Sequence, residues 1–210
     1  MNSVLRATLA LPILLVTSLA LAGAAVAQQA APATPAKPKP AKPAAKPNPA
    51  TAAAPAAPAV NGQQPTLLGM YGEWGAYTAA PGGKKICFAL AKPTRSETTP
   101  QGRPRDPAYM FVSSRPAEKV KDEVSIIIGY GFKPNSDANL ELGGANYAMY
   151  TQNDGAWIKN AAEETRLVDG LRKGNDATVK GVSARGTATT DVFSLKGLSQ
   201  ALDKVGEECR

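Results

Sequence analysis

Histidine is absent from the 210 residues, and cysteine occurs only twice, as Cys87 and Cys209. Without imidazole there is no Ser-His-Asp or Cys-His nucleophilic centre and no histidine-ligated zinc, haem or copper. Other signatures fail on spacing. Gly129-Tyr130-Gly131 lacks the third glycine of a dinucleotide fingerprint, and no segment fits a phosphate loop or a Gly-x-Ser-x-Gly elbow. Asp137-Ala138-Asn139-Leu140-Glu141 begins like a calcium loop, but Leu142 stands where the turn needs glycine and Ala148 where the bidentate glutamate belongs. No metal site and no cofactor is expected.

Long apolar runs are also scarce, the exception being Leu9 to Leu21. Arg6 precedes this run and Ala25-Val26-Ala27 follows it, the pattern of an export signal cleaved between Ala27 and Gln28. The run is shorter than the roughly 20 residues a spanning helix needs, and no membrane span is expected after cleavage. Residues 28–66 are rich in Ala, Pro and Lys and contain no acidic side chain, as in Ala36-Lys37-Pro38-Lys39-Pro40. Such a stretch buries too little apolar surface to offset its ordering entropy, so it reads as a disordered linker leaning to polyproline II. Where extended it would reach on the order of 100 Å. Its four lysines predict a weak, salt-screened contact with anionic envelope polymers.

The whole chain carries a net charge of +7. Arg6, Lys37, Lys39, Lys42 and Lys46 supply five of those charges, which leaves +2 for residues 67–210. A near-neutral exported domain with no basic helix is not a nucleic-acid binder. In an exported chain an even cysteine count predicts one structural disulfide, Cys87 to Cys209. Two free thiols, or pairing between molecules, are the alternatives that the residues leave open.

Residues 67–210 have the size of one domain. Gly, Pro and Asn divide them into short strand candidates at 68–77, 85–91, 109–114, 123–130, 146–152 and 156–159, and later at 177–184 and 189–195. Val124-Ser125-Ile126-Ile127-Ile128 is rich in β-branched residues and too short for a helix. Asn160 is a candidate N-cap, Leu167, Val168 and Leu171 share a helical face, and Gly174 stops the helix after Arg172 and Lys173. A second helix over 197–205 aligns Leu198, Ala201, Leu202 and Val205. The fold expected is mainly β, an antiparallel sandwich or barrel-like domain with two short helices near the C-terminus, preceded by the disordered tether.

The proline-punctuated segment 92–107 carries Lys92, Arg95, Arg103 and Arg105 and reads as an exposed interaction loop. Glu118, Asp122, Glu123, Asp137, Glu141 and Asp154 are the carboxylates from which an acid and base pair for polysaccharide cleavage would have to come. Trp74, Tyr77, Phe88, Tyr109, Phe111, Phe132, Tyr147, Tyr150, Trp157 and Phe193 are spread over the strands. That distribution suits core packing, with a carbohydrate-stacking platform as the other reading.

Taken in order, Trp74, Cys87, Trp157, Leu167-Val168-Asp169-Gly170-Leu171-Arg172-Lys173-Gly174, Ser194-Leu195-Lys196-Gly197 and Cys209 form a pattern. It resembles the invasion-associated locus B family of alphaproteobacterial envelope proteins. The resemblance implies a secreted or envelope-associated, β-rich, non-enzymatic protein, linked in some members to host-cell entry, and it carries over the cysteine pair but no catalytic residue. The sequence reading is therefore a periplasmic, outer-membrane-associated or secreted interaction protein, monomeric, with an unidentified envelope or host-surface partner. An envelope enzyme using a carboxylate pair on peptidoglycan or another polysaccharide is the first alternative. A periplasmic chaperone or assembly factor, which would present an apolar groove or an unpaired sheet edge, is the second.

Overall fold

The computed structural model describes residues 57–210. The expected signal, its cleavage point at Ala27 and Gln28, and most of the linker lie outside these residues. Eleven strands form one antiparallel sheet. They are β1 (Thr66–Tyr71), β2 (Trp74–Ala79), β3 (Ile86–Ala91), β4 (Arg95–Thr99), β5 (Tyr109–Arg115) and β6 (Val120–Ile127). After them come β7 (Ala138–Leu142), β8 (Ala145–Gln152), β9 (Gly155–Ile158), β10 (Asp176–Val182) and β11 (Ala188–Ser194). Helix α1 (Glu164–Lys173) lies between β9 and β10, and α2 (Leu198–Glu208) follows β11. The spatial order is β1-β2-β3-β5-β6-β9-β8-β7-β10-β11-β4.

Side-chain alternation sets which face turns inward. In β10, Ala177 and Val179 are buried while Asp176 and Lys180 are exposed, and β7 buries Ala138, Leu140 and Leu142 in the same rhythm. The inward residues of strands from β2 through β11 meet in one core with Leu167 and Leu171 of α1 and with Leu198, Leu202 and Val205 of α2. Ala76 and Ala89 are among the inward residues of β2 and β3, strands on which α2 packs, and their small side chains let the helix approach closely. Asn160 caps the turn leading into α1, its Oδ1 accepting the Ala162 N–H at 3.2 Å. Both helices form where the periodicity placed them, with α2 running on to Glu208.

The sheet curls until its first hairpin meets the chain leaving β11, while β1 and β4 remain its two ends. Trp74 Nε1–H donates to the Ser194 carbonyl at 2.9 Å, and the Glu73 N–H to the Lys196 carbonyl at 3.2 Å. Gly197 sits at φ +96° against the first hairpin, where a β-carbon would overlap the Tyr71 carbonyl. Only glycine fits that junction.

Three expectations are corrected. The strand expected over 68–77 is two strands, because Gly72 at φ +57° turns the chain between β1 and β2. Residues 138–142, which the strand candidates leave out, are β7, paired with β8 and β10. The segment 92–107 is not all loop, since β4 pairs with β11 inside it. In addition, the linker's last part is seated on the sheet: Ala57 is buried with Tyr77, Phe88 and Leu90, Val60 packs beside them, and Gln64 Nε2 donates to the Ala57 carbonyl at 2.9 Å. That cover explains why β3, with Cys87 and Ala89 inward and Phe88 and Leu90 outward, is buried on both faces.

Candidate interaction surface

Cys87 and Cys209 are joined, with Cα atoms 5.9 Å apart, linking β3 to the end of α2 across 122 residues. Lys85 Nζ reaches both the main-chain carbonyl and the carboxylate of Glu208 at 2.6 Å, and it holds that carboxyl below its usual range. The bond and the ion pair fasten one end of α2 to one end of β3.

The basic segment divides. Lys92, Arg95 and Arg103 are exposed: Lys92 Nζ stands 5.5 Å from the Tyr109 ring centre, Arg95 faces Glu97 at 3.5 Å, and the Arg103 N–H donates to Thr98 Oγ1 at 3.3 Å. Arg105 is a correction, because its side chain is only 12% exposed and turns inward to the fully buried Asp191 of β11. Its Nη1 donates to Asp191 Oδ2 and to the Ile128 carbonyl, each at 2.8 Å, and its Nη2 bonds Asp191 Oδ1 and donates to Ser96 Oγ at 3.1 Å. A buried carboxylate demands such a partner, so Arg105 anchors the segment to the sheet and does not belong to its outer surface.

Five of the six candidate carboxylates are engaged by neighbours. Glu118 and Glu123 both grip Arg115, at 2.7 Å and 2.9 Å, and keep its guanidinium charged. Asp137 pairs with Lys159 at 2.8 Å and Glu141 with Lys180 at 2.6 Å. Asp122 accepts from Ser114 Oγ at 3.4 Å, and Asp154 is exposed in the β8–β9 turn. None of the six lines the broad cleft of about 770 Å³ between α1 and the β7–β8 turn, where Asp169 and Asp176 share the space with Arg166 and Lys173. Among the described residues no group of three carboxylates or cysteines is placed to hold a metal ion.

Glu164, which the sequence reading did not single out, is the carboxylate with a raised pKa. Burial pushes it up, helped by Glu123 and Asp122, against the Val124 N–H that Oε1 accepts at 2.8 Å and the charge of Arg115. A raised acid pKa means that the folded state keeps its proton to higher pH than the unfolded state. Stability therefore falls as pH rises from the ordinary value of 4.5 through the raised one, and stays lower above it. Glu164→Gln keeps an oxygen for the Val124 N–H and removes the charge. The variant is expected to gain on the wild type in urea unfolding as pH rises from about 4 to 7. Parallel profiles would contradict the burial argument.

Trp74, Phe132, Tyr147 and Phe193 lie in the inner core, while the outer face of the sheet gathers Tyr77, Phe88, Tyr109, Phe111, Tyr150 and Trp157. Strand register sets Leu90, Phe111, Ser125, Trp157 and Tyr150 in one row across β3, β5, β6, β9 and β8. Tyr77 and Phe88 stack beside that row at 5.5 Å, and Phe111 lies 5.6 Å from Phe88 and 6.2 Å from Tyr109. At the far end Tyr150 and Trp157 stack at 5.5 Å with their planes 21° apart. The Trp157 ring leans back over Gly155, where a β-carbon would fall within it. Cover thins along the row: Tyr77 and Phe88 are buried beneath Ala57 and Val60, Phe111 and Trp157 are half-buried, and Tyr150 is 45% exposed. The aromatics at one end of this face are packing residues, and at the other end Tyr150 and Trp157 form an open stacked pair.

No curated protein and no solved structure matches the chain. The sequence pattern of the invasion-associated locus B protein family matches residues 74–206, from the tryptophan that bonds the end of β11 through most of α2. With the disulfide, the β-rich fold and that match in agreement, the chain belongs to the invasion-associated locus B family.

Proposed function

We propose that this chain is an exported, non-enzymatic interaction protein of the cell envelope, and that it makes contact through the Tyr150–Trp157 end of its outer sheet face. The observation that carries this reading is the exposed aromatic stack, since a large apolar ring pair held open on a sheet face serves contact better than stability. The disulfide fits an oxidising compartment, and among the described residues no helix is long and apolar enough to cross a membrane. The domain layout that goes with it is a signal over 1–27, a linker from 28 whose last residues rest on the sheet, and a disulfide-closed domain ending the chain. Its place is the periplasm, the outer membrane or the medium, and its contribution is to envelope function or, as the family's description suggests, to invasion.

Co-sedimentation with isolated envelope fractions tests the reading. Tyr150→Ala combined with Trp157→Ala is expected to weaken association about tenfold or more, since losing two stacking rings forfeits at least about 1.4 kcal/mol. The loss should persist at high salt, which screens charged contacts only. Replacing the exposed Lys92, Arg95 and Arg103 should matter only at low salt. Binding that survives the aromatic double variant and disappears with the basic triple variant would move the contact to the β4 segment.

A further inference from the structure

We propose that β1 is a homotypic docking edge, through which two copies of this chain pair as antiparallel neighbours about a two-fold axis. The sheet has two ends, β1 and β4, and among the described residues no strand lies beyond either. They are built differently. β4 reads Arg95-Ser96-Glu97-Thr98-Thr99, carries exposed Arg95 and Glu97, and is bracketed by Pro93 and Pro100. Charges and prolines of this kind prevent an incoming strand from pairing. β1 reads Thr66-Leu67-Leu68-Gly69-Met70-Tyr71, with no charge and no proline, and Leu67 is 42% exposed.

The β1–β2 turn fixes which backbone groups face outward. Gly72 and Glu73 form a two-residue turn that makes Tyr71 and Trp74 a hydrogen-bonded pair, so Met70, one step on, turns its N–H and C=O away from β2. Those groups, with an uncharged apolar strand around them, form a template for strand addition. The occupant follows from the difference between the edges. Addition of β1 to β4 of a second copy would be heterologous and propagate into filaments, and the charges and prolines of β4 oppose it. Addition of β1 to another β1 is isologous, brings no like charges together, and closes after two copies. Six residues a side bury less than roughly 1,000 Å², so the pair is weak, with a dissociation constant on the order of 100 μM. The monomer expected from the sequence is then the dilute form.

The test is sedimentation velocity on the full exported chain over a concentration series spanning that value, with amide exchange read at Met70. The expected result is a concentration-dependent shift from one copy to two, with slower Met70 exchange at high concentration. Leu67→Lys, placed on an exposed side chain and checked for an unchanged thermal midpoint, should raise the dissociation constant at least tenfold. Arg95→Ala on the opposite edge should leave it unchanged. A single-copy species throughout the series would overturn the proposal, as would a dimer indifferent to Leu67→Lys or growth beyond two copies.

Discussion

The Cys87→Ala, Cys209→Ser double variant is expected to lose about 4 to 5 kcal/mol of unfolding free energy, which is what releasing a closed loop of about 120 residues is worth in the chain-entropy account. Alanine is chosen at 87 because that position is fully buried and a serine there would bury a hydroxyl. Total domain stabilities are about 5 to 15 kcal/mol, so the loss takes a large share. Equilibrium urea unfolding is the measurement, and reductant should move the wild type to the variant's midpoint while leaving the variant where it is. The damage should begin locally. Once the covalent link is gone, the end of α2 keeps the exposed Lys85–Glu208 pair and the burial of Val205, Leu202 and Leu198. Limited proteolysis should therefore cut near the C-terminus first. An unchanged midpoint with and without reductant would show that the bond constrains nothing that packing does not already fix.

The second large effect is expected at Arg105. Arg105→Ala leaves the Asp191 carboxylate at zero exposure without its cation, which costs about 3 to 5 kcal/mol. It also frees the 100–108 segment, since the same guanidinium holds the Ile128 carbonyl and Ser96. Replacing both partners, Arg105→Met with Asp191→Leu, should recover most of the loss, because two apolar side chains need no counter-charge. Thermal or urea unfolding of the single and double variants closes the cycle. If Arg105→Ala were no worse than Arg103→Ala, which alters an exposed side chain, the buried pair would carry none of the stability assigned to it.

These two sites were legible in the sequence to very different degrees. The disulfide was legible from a cysteine count of two beside the expectation of export, and the helices announced themselves through the spacing of Leu167, Val168 and Leu171, of Leu198, Ala201 and Leu202, and through caps at Asn160 and Gly174. β6 was readable because Val124 to Ile128 are β-branched nearly throughout. β4 was not, because it is an edge strand exposed at four of its five positions and so has no apolar alternation to detect. Nor was the role of Arg105, since its partner lies 86 residues away on β11 and only the folded register brings them together. The aromatic face has the same origin. Phe111, Trp157 and Tyr150 are separated along the chain and become one row only once β5, β6, β9 and β8 lie side by side, while Gly155, which looks like a turn residue, turns out to be the floor on which Trp157 rests.

The meeting of the first hairpin with the chain after β11, at Tyr71, Trp74, Ser194 and Gly197, bears on when this domain can fold. The β1–β2 end is completed by residues more than a hundred positions later, and the disulfide sets the same requirement from β3. Contacts of such long range are slow to form and cannot form at all while the C-terminal segment is still being synthesised. A chain emerging from the ribosome therefore stays without its complete native core until α2 has been made. The geometry that closes the sheet therefore makes the whole core wait for its last helix, so that this domain is assembled from its two ends at once and not strand by strand from the first hairpin.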